Sequence, residues 1–152
     1  MQSFLEWISE MIQITKIALT IIILLSIIAC SPDSPPTAYP TSSSSYDELN
    51  QNVGCDSKYV EDKKSDIFKS NYLNHWMTWK GQILTASSED AALNLDGKGI
   101  QDLHITFADS KGGYDLLQDQ IVSVKFLMKT AGGCILPFEG IKAILVDEVK
   151  SK

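Results

Sequence analysis

Three cysteines, Cys30, Cys55 and Cys134, are the residues best placed to do chemistry in this 152-residue chain. A thiol can be acylated, paired in a disulfide or used as a nucleophile, and its surroundings decide which. Three thiols cannot build a four-cysteine zinc site. The two histidines, His75 and His104, leave little for metal or acid–base chemistry and read first as solvated side chains. Asp115 and Asp119 flank a short turn and read as solvated or helix-terminal charges, not as a catalytic carboxylate pair. No nucleophile elbow, phosphate loop or His-Glu zinc motif occurs. The expectation is a protein that is not an enzyme and carries no metal and no cofactor. All 13 basic residues are lysine, 19 residues are acidic, and the net charge is −6. Nucleic-acid binders usually show a basic face and lean on arginine forks, so no nucleic-acid partner is expected.

Cys30 closes an uncharged apolar run over residues 17–29, preceded by Lys16. A membrane-spanning helix needs about 20 apolar residues, so this shorter run has the length of a signal-peptide core. The alternative is an uncleaved apolar anchor that ends by chance at a cysteine. The run ends Ile27-Ile28-Ala29-Cys30, which resembles the lipobox of bacterial lipoproteins, with Ile27 where that family most often has leucine. The resemblance implies a signal peptide over residues 1–29, cleaved before Cys30. It also implies a diacylglycerol on the thiol and an acyl chain such as palmitate on the new N-terminus. Stable anchoring needs more than one acyl chain, which a triacylated cysteine supplies. Glu6 and Glu10 do not suit a positively charged leader, so Met11 is the expected start. Ser31, unlike the aspartate that in this family commonly retains proteins at the inner membrane, permits transport to the outer membrane. The expected location is the bacterial cell envelope, lipid-anchored at the outer membrane and facing the periplasm.

Residues 30–54 hold four prolines and the run Ser42-Ser43-Ser44-Ser45, with almost no aliphatic content before Leu49. Such a segment reads as a disordered tether. The folded domain is then expected over residues 55–150, small enough for a covalent staple to help. Cys55 and Cys134 are the remaining cysteines, and export would place them where two thiols in one domain usually pair. A redox pair is the alternative, but catalytic dithiols usually sit in a short Cys-x-x-Cys.

The elements that must hold these residues follow from periodicity. Residues 57–73 carry Val60, Ile67, Phe68 and Tyr72 at loose helical spacing. Alternation then sets in at Met77, Trp79 and Ile83, with Gly81 between them as a bulge or bend. It continues at Ala91, Leu93 and Leu95, and at Leu103, Ile105 and Phe107 after the hairpin signal Asp96-Gly97-Lys98-Gly99. Residues 114–117 read as a short helical turn. Val122, Val124, Phe126 and Met128 form a fourth strand and residues 141–146 a fifth.

This order is mainly β. It predicts a small five-stranded OB-like barrel with an N-terminal helix and a short helix between strands three and four. Over residues 65–147 the chain resembles the tRNA-anti-like OB-fold lipoproteins. The resemblance rests on a helix before Met77-Thr-Trp79-Lys-Gly81-Gln-Ile83 and on the later Val122-Ser-Val124. Trp79 falls on the inward face. Trp76, His104 and Lys125 fall on the outward face and form the candidate contact surface, with Lys129 beside Lys125. The expected function is a membrane-tethered, non-enzymatic lipoprotein that binds an envelope protein or a small ligand. The alternative is a periplasmic inhibitor or immunity lipoprotein against a toxin or hydrolase, which would need a plugging loop at residues 85–90 or 130–140.

Overall fold

The computed structural model describes residues 38–146. The expected signal peptide, Met11, Cys30 and the first part of the tether lie outside them. Seven elements follow in order: α1 (Tyr46–Val53), α2 (Glu61–Asn71), β1 (Trp76–Ala86), β2 (Asp90–Asn94), β3 (Leu103–Phe107), β4 (Ile121–Thr130) and β5 (Phe138–Leu145). The strands close a barrel in the spatial order β1-β2-β3-β5-β4. All neighbours are antiparallel except β3 and β5, which run parallel. The architecture is the expected mainly β, five-stranded OB-like barrel.

The inward faces follow the alternation in the sequence. Met77, Trp79 and Ile83 from β1, Leu103, Ile105 and Phe107 from β3, and Val122, Val124, Phe126 and Met128 from β4 all enter the core. Gly81 keeps the strand in register, pairing with Val122. A Cβ there would lie 2.8 Å from the Asn94 carbonyl oxygen. Its role is therefore close approach of two backbones, and the irregularity expected at Gly81 sits instead between Ile83 and Thr85.

Three expectations need correction. The tether does not extend to residue 54, because the compact unit that holds the barrel begins at Tyr39. The Pro40 carbonyl accepts the Trp76 N–H at 2.8 Å, and the Ser42 N–H donates to the Trp76 carbonyl at 2.9 Å. Ser45 caps α1 by accepting the Glu48 N–H at 3.2 Å. Ser45-x-x-Glu48 is a capping-box spacing, and Asp47 and Glu48 favour the positive end of the helix. Leu49 and Val53, one turn apart, are buried in the barrel core. Polar composition hid this helix because two side chains suffice to dock two turns.

The short helix expected between β3 and β4 is a chain of turns. Gly112, Tyr114 and Leu116 donate to Asp109, Lys111 and Gly113. The pair Gly112-Gly113 is costly in a helix, and a Cβ on Gly113 would collide with the Ser87 carbonyl. The third correction is β5, which starts at Phe138 rather than 141. Lys142 has φ 54°, and the pairing shifts between Ile105 opposite Gly140 and Phe107 opposite Ala143. This bulge turns both Gly140 and Ala143 inward, so alternation alone misplaces the strand start.

Candidate functional site

The disulfide expected from the cysteine count is present. Cys55 and Cys134 are joined, with Cα atoms 4.5 Å apart at a sequence separation of 79. Cys55 follows the end of α1, where the Gly54 N–H closes the helix on the Asn50 carbonyl. Cys134 lies in the β4–β5 loop, residues 131–137. The bond therefore staples that loop to the helical end of the domain.

Glycines shape the loop. A Cβ at Gly132 would sit 2.9 Å from the Phe138 nitrogen, so only glycine lets the chain fold back there. The Gly133 N–H donates to the Leu136 carbonyl at 2.8 Å. The turn it closes presents Ile135 and Leu136, 87% and 71% exposed. On the β2–β3 loop, Gly97 and Gly99 take positive φ, and Ile100 is 63% exposed. These three aliphatic residues rim a cleft of about 240 Å³. Two adjacent exposed aliphatics in a covalently held loop have no structural task in the core.

The cleft wall is polar and organised by Tyr46. Its hydroxyl donates to Asp102 Oδ1 at 2.8 Å. Asp102 Oδ2 accepts the Leu95 N–H at 2.7 Å and the Asp96 N–H at 3.2 Å. The Tyr46 ring meets Trp79 and Phe138 edge-on, at 5.9 and 6.0 Å between centroids. Asp56 accepts the Asn50 amide at 2.9 Å, and Lys98 pairs with Asp96 at 3.7 Å. Burial first, then the hydrogen bond and charge of Asp102, push the Tyr46 hydroxyl well above its ordinary range.

That shift has a testable sign. A tyrosine held protonated in the folded state supports folding fully below its ordinary pKa of about 10 and loses that support above it. Stability in urea should fall as pH rises from 9.5 to 11, and Tyr46→Phe should flatten that slope. At pH 7 the same variant should cost about 1.5 kcal/mol, the low end for a hydrogen bond to a charged group. An unchanged alkaline slope in the variant would show that another group titrates there.

The outward candidates divide. Lys125 Nζ lies 5.4 Å from the centre of the Trp76 ring, a cation–π contact across the β1–β4 pair. Both side chains are half-buried. His104 is not with them. It sits on β3 opposite Ala92 of β2 and Glu139 of β5, while Lys125 faces Ile144 further along β5. Lys129 is engaged by Asn74 Oδ1 at 2.7 Å. Asp119, at φ 66°, accepts from Gln82 at 3.0 Å, which is a turn role. Among the described residues no three His, Cys, Asp or Glu side chains converge as a metal would require. The arrangement can bind; its carboxylates serve backbone and side-chain donors rather than converging on one point.

Tyr46, Asp102 and Ile100 were not singled out in the sequence, and Ile135 and Leu136 entered only as part of the segment 130–140. Two signals pointed to them: the Ser45-x-x-Glu48 cap that docks Tyr46, and aliphatics placed inside glycine-flanked loops. The chain matches no protein-family model, and no curated protein matches it either.

Proposed function

We propose that the chain is a non-enzymatic lipoprotein of the bacterial envelope, anchored through Cys30, whose barrel binds an envelope protein through the β4–β5 loop. The observation that carries the binding role is that loop. It is stapled at Cys134 and presents Ile135 and Leu136 to solvent. Preorganised loops lose less entropy on binding than free ones. The lipid anchor rests on the spacing of the apolar run and Ile27-Ile28-Ala29-Cys30. A small ligand in the neighbouring cleft is the other form of this reading.

The same loop also favours a second reading, an inhibitor or immunity lipoprotein. Of the two segments expected to plug a partner, residues 85–90 carry no large apolar residue. Residues 130–140 carry both exposed aliphatics. A rigid apolar tip suits insertion into the cleft of a toxin or hydrolase.

The test is a pull-down of the full lipidated chain from detergent-solubilised envelopes, with wild type and an Ile135→Asp/Leu136→Asp variant side by side. One specific protein should be retained by wild type and reduced at least about tenfold by the variant, since central contact residues often contribute 2 kcal/mol or more. Equal recovery by both would place the contact elsewhere. A recovered hydrolase or toxin that loses activity on binding would select the inhibitor reading. Radioactive palmitate should label wild type and not Cys30→Ala; label on the variant would remove the anchor.

A further inference from the structure

The aliphatic rim and the acidic wall of the cleft lie at the barrel end from which the tether leaves. Pro40 and Ser42 pair with Trp76, the first residue of β1. Trp76 faces Leu127 of β4, three residues before that strand ends and the stapled loop begins. The β2–β3 loop, with Ile100, turns at this same end. From Cys30 to Tyr39 is nine Cα steps in sequence, which reach at most about 30 Å. On the anchoring reading proposed above, the cleft therefore works close to the membrane surface.

An apolar rim near a membrane has two natural occupants, lipid and protein, and charge separates them. The cleft is lined by Asp56, Asp96 and Asp102 against one lysine, Lys98. Asp102 is held by neutral donors, the Tyr46 hydroxyl and two backbone N–H groups. Asp56 is held by the Asn50 amide. Neither set of contacts neutralises a carboxylate. Lys98 pairs with Asp96 only at 3.7 Å, and its side chain is 82% exposed, so it can swing aside. Anionic headgroups attract polybasic segments and disfavour acidic ones. The chain as a whole is also acidic, at −6.

We infer that the cleft between the β2–β3 and β4–β5 loops takes a protein segment with a lysine or arginine flanked by aliphatic residues, in the membrane-proximal part of an envelope partner. The aliphatics lie against Ile100, Ile135 and Leu136. The basic group enters beside Asp56 and Asp96 and displaces Lys98. Apolar contact supplies adhesion, and the carboxylates select the charge and speed the encounter. Asp102 is a positioning residue here, because both of its oxygens hold the wall together.

The experiment is site-specific photocrosslinking of the full chain in cells. A benzophenone amino acid is placed at position 100, 135 or 136, or at position 114 as a control. Tyr114 is 74% exposed in the β3–β4 connection, at the far end of the barrel. Positions 100, 135 and 136 should give one shared protein adduct, and position 114 at least tenfold less. Mass spectrometry should map the adduct to a peptide with a basic residue among aliphatics. Asp56→Asn with Asp96→Asn, which remove charge but keep side-chain shape, should reduce the yield about fivefold, and added salt should reduce it in wild type. A lipid adduct, a self-adduct, a peptide without a basic residue, or a yield indifferent to the two asparagines would each overturn the inference. Palmitate labelling of the same cells separates the two readings. A labelled chain without an adduct at position 135 removes the cleft, whereas an adduct on an unlabelled chain removes the anchor and the membrane-proximal placement.

Discussion

Trp79→Ala should lower the stability of the barrel by about 3–5 kcal/mol, the range for truncating a buried tryptophan or phenylalanine. Trp79 is 5% exposed. Its ring meets the edges or faces of Phe126, Tyr46 and Phe138, at 5.2, 5.9 and 6.0 Å between centroids. Its indole N–H donates to the Ser44 carbonyl at 2.8 Å. One side chain thus joins β1 and β4 to the N-terminal segment and to α1. Its loss leaves a large cavity and an unpaired carbonyl in the segment that leads into the helix. Residues 40–45 should then become sensitive to protease before the barrel itself unfolds. Trp79→Phe keeps ring contact but not the N–H and should cost less than Trp79→Ala. Trp76→Ala, on a half-buried outer position, should cost under about 1.5 kcal/mol. Urea unfolding of the full chain in mild detergent measures all three. A cost below 1 kcal/mol for Trp79→Ala would contradict the central position given to this ring.

The second large effect belongs to the disulfide. It closes a loop containing α2 and β1 to β4 in their entirety. In the chain-entropy model, a loop of the 79-residue separation between Cys55 and Cys134 corresponds to about 4 kcal/mol, a mechanism that calorimetry disputes. For a domain of this size that is a fall in Tm of roughly 15 °C. Both cysteines are exposed, so a small thiol reductant reaches the bond without prior unfolding. The barrel strands should keep their far-ultraviolet circular dichroism after reduction at 20 °C, because the core lies elsewhere. The loop should lose its fixed position, and partner recovery should fall with it. Cys55→Ser/Cys134→Ser should reproduce both changes. A fall of less than about 3 °C would show that the denatured chain gains little freedom from the cut.

Much of the barrel was readable from side-chain type alone. A strand exposes alternate residues to opposite faces, so Met77, Trp79 and Ile83, or Leu103, Ile105 and Phe107, declare their inward face without reference to any neighbour. The pairing of Cys55 with Cys134 was readable for a similar reason: once Cys30 was set aside, two thiols remained in one small domain. Gly81 was legible as a special position, though its cause, the Asn94 backbone and the Leu95 side chain lying against it, was not.

What escaped the sequence depends on contacts between distant residues. Residues 40–54 look like a tether by composition, yet Trp76 binds Pro40 and Ser42, and the core takes Leu49 and Val53. Average polarity cannot register two well-placed apolar residues and a serine cap. The start of β5 was hidden by the left-handed Lys142, because a bulge resets the period that alternation relies on. His104 was grouped with Trp76 and Lys125 because all three point outward; the interposed β5 separates His104 from Lys125. The cleft belongs wholly to tertiary structure. It draws Tyr46, Asp102 and Leu136 from three parts of the chain. Side-chain periodicity is a local property that each strand carries by itself, whereas a cleft exists only where barrel closure and a disulfide bring separate loops together.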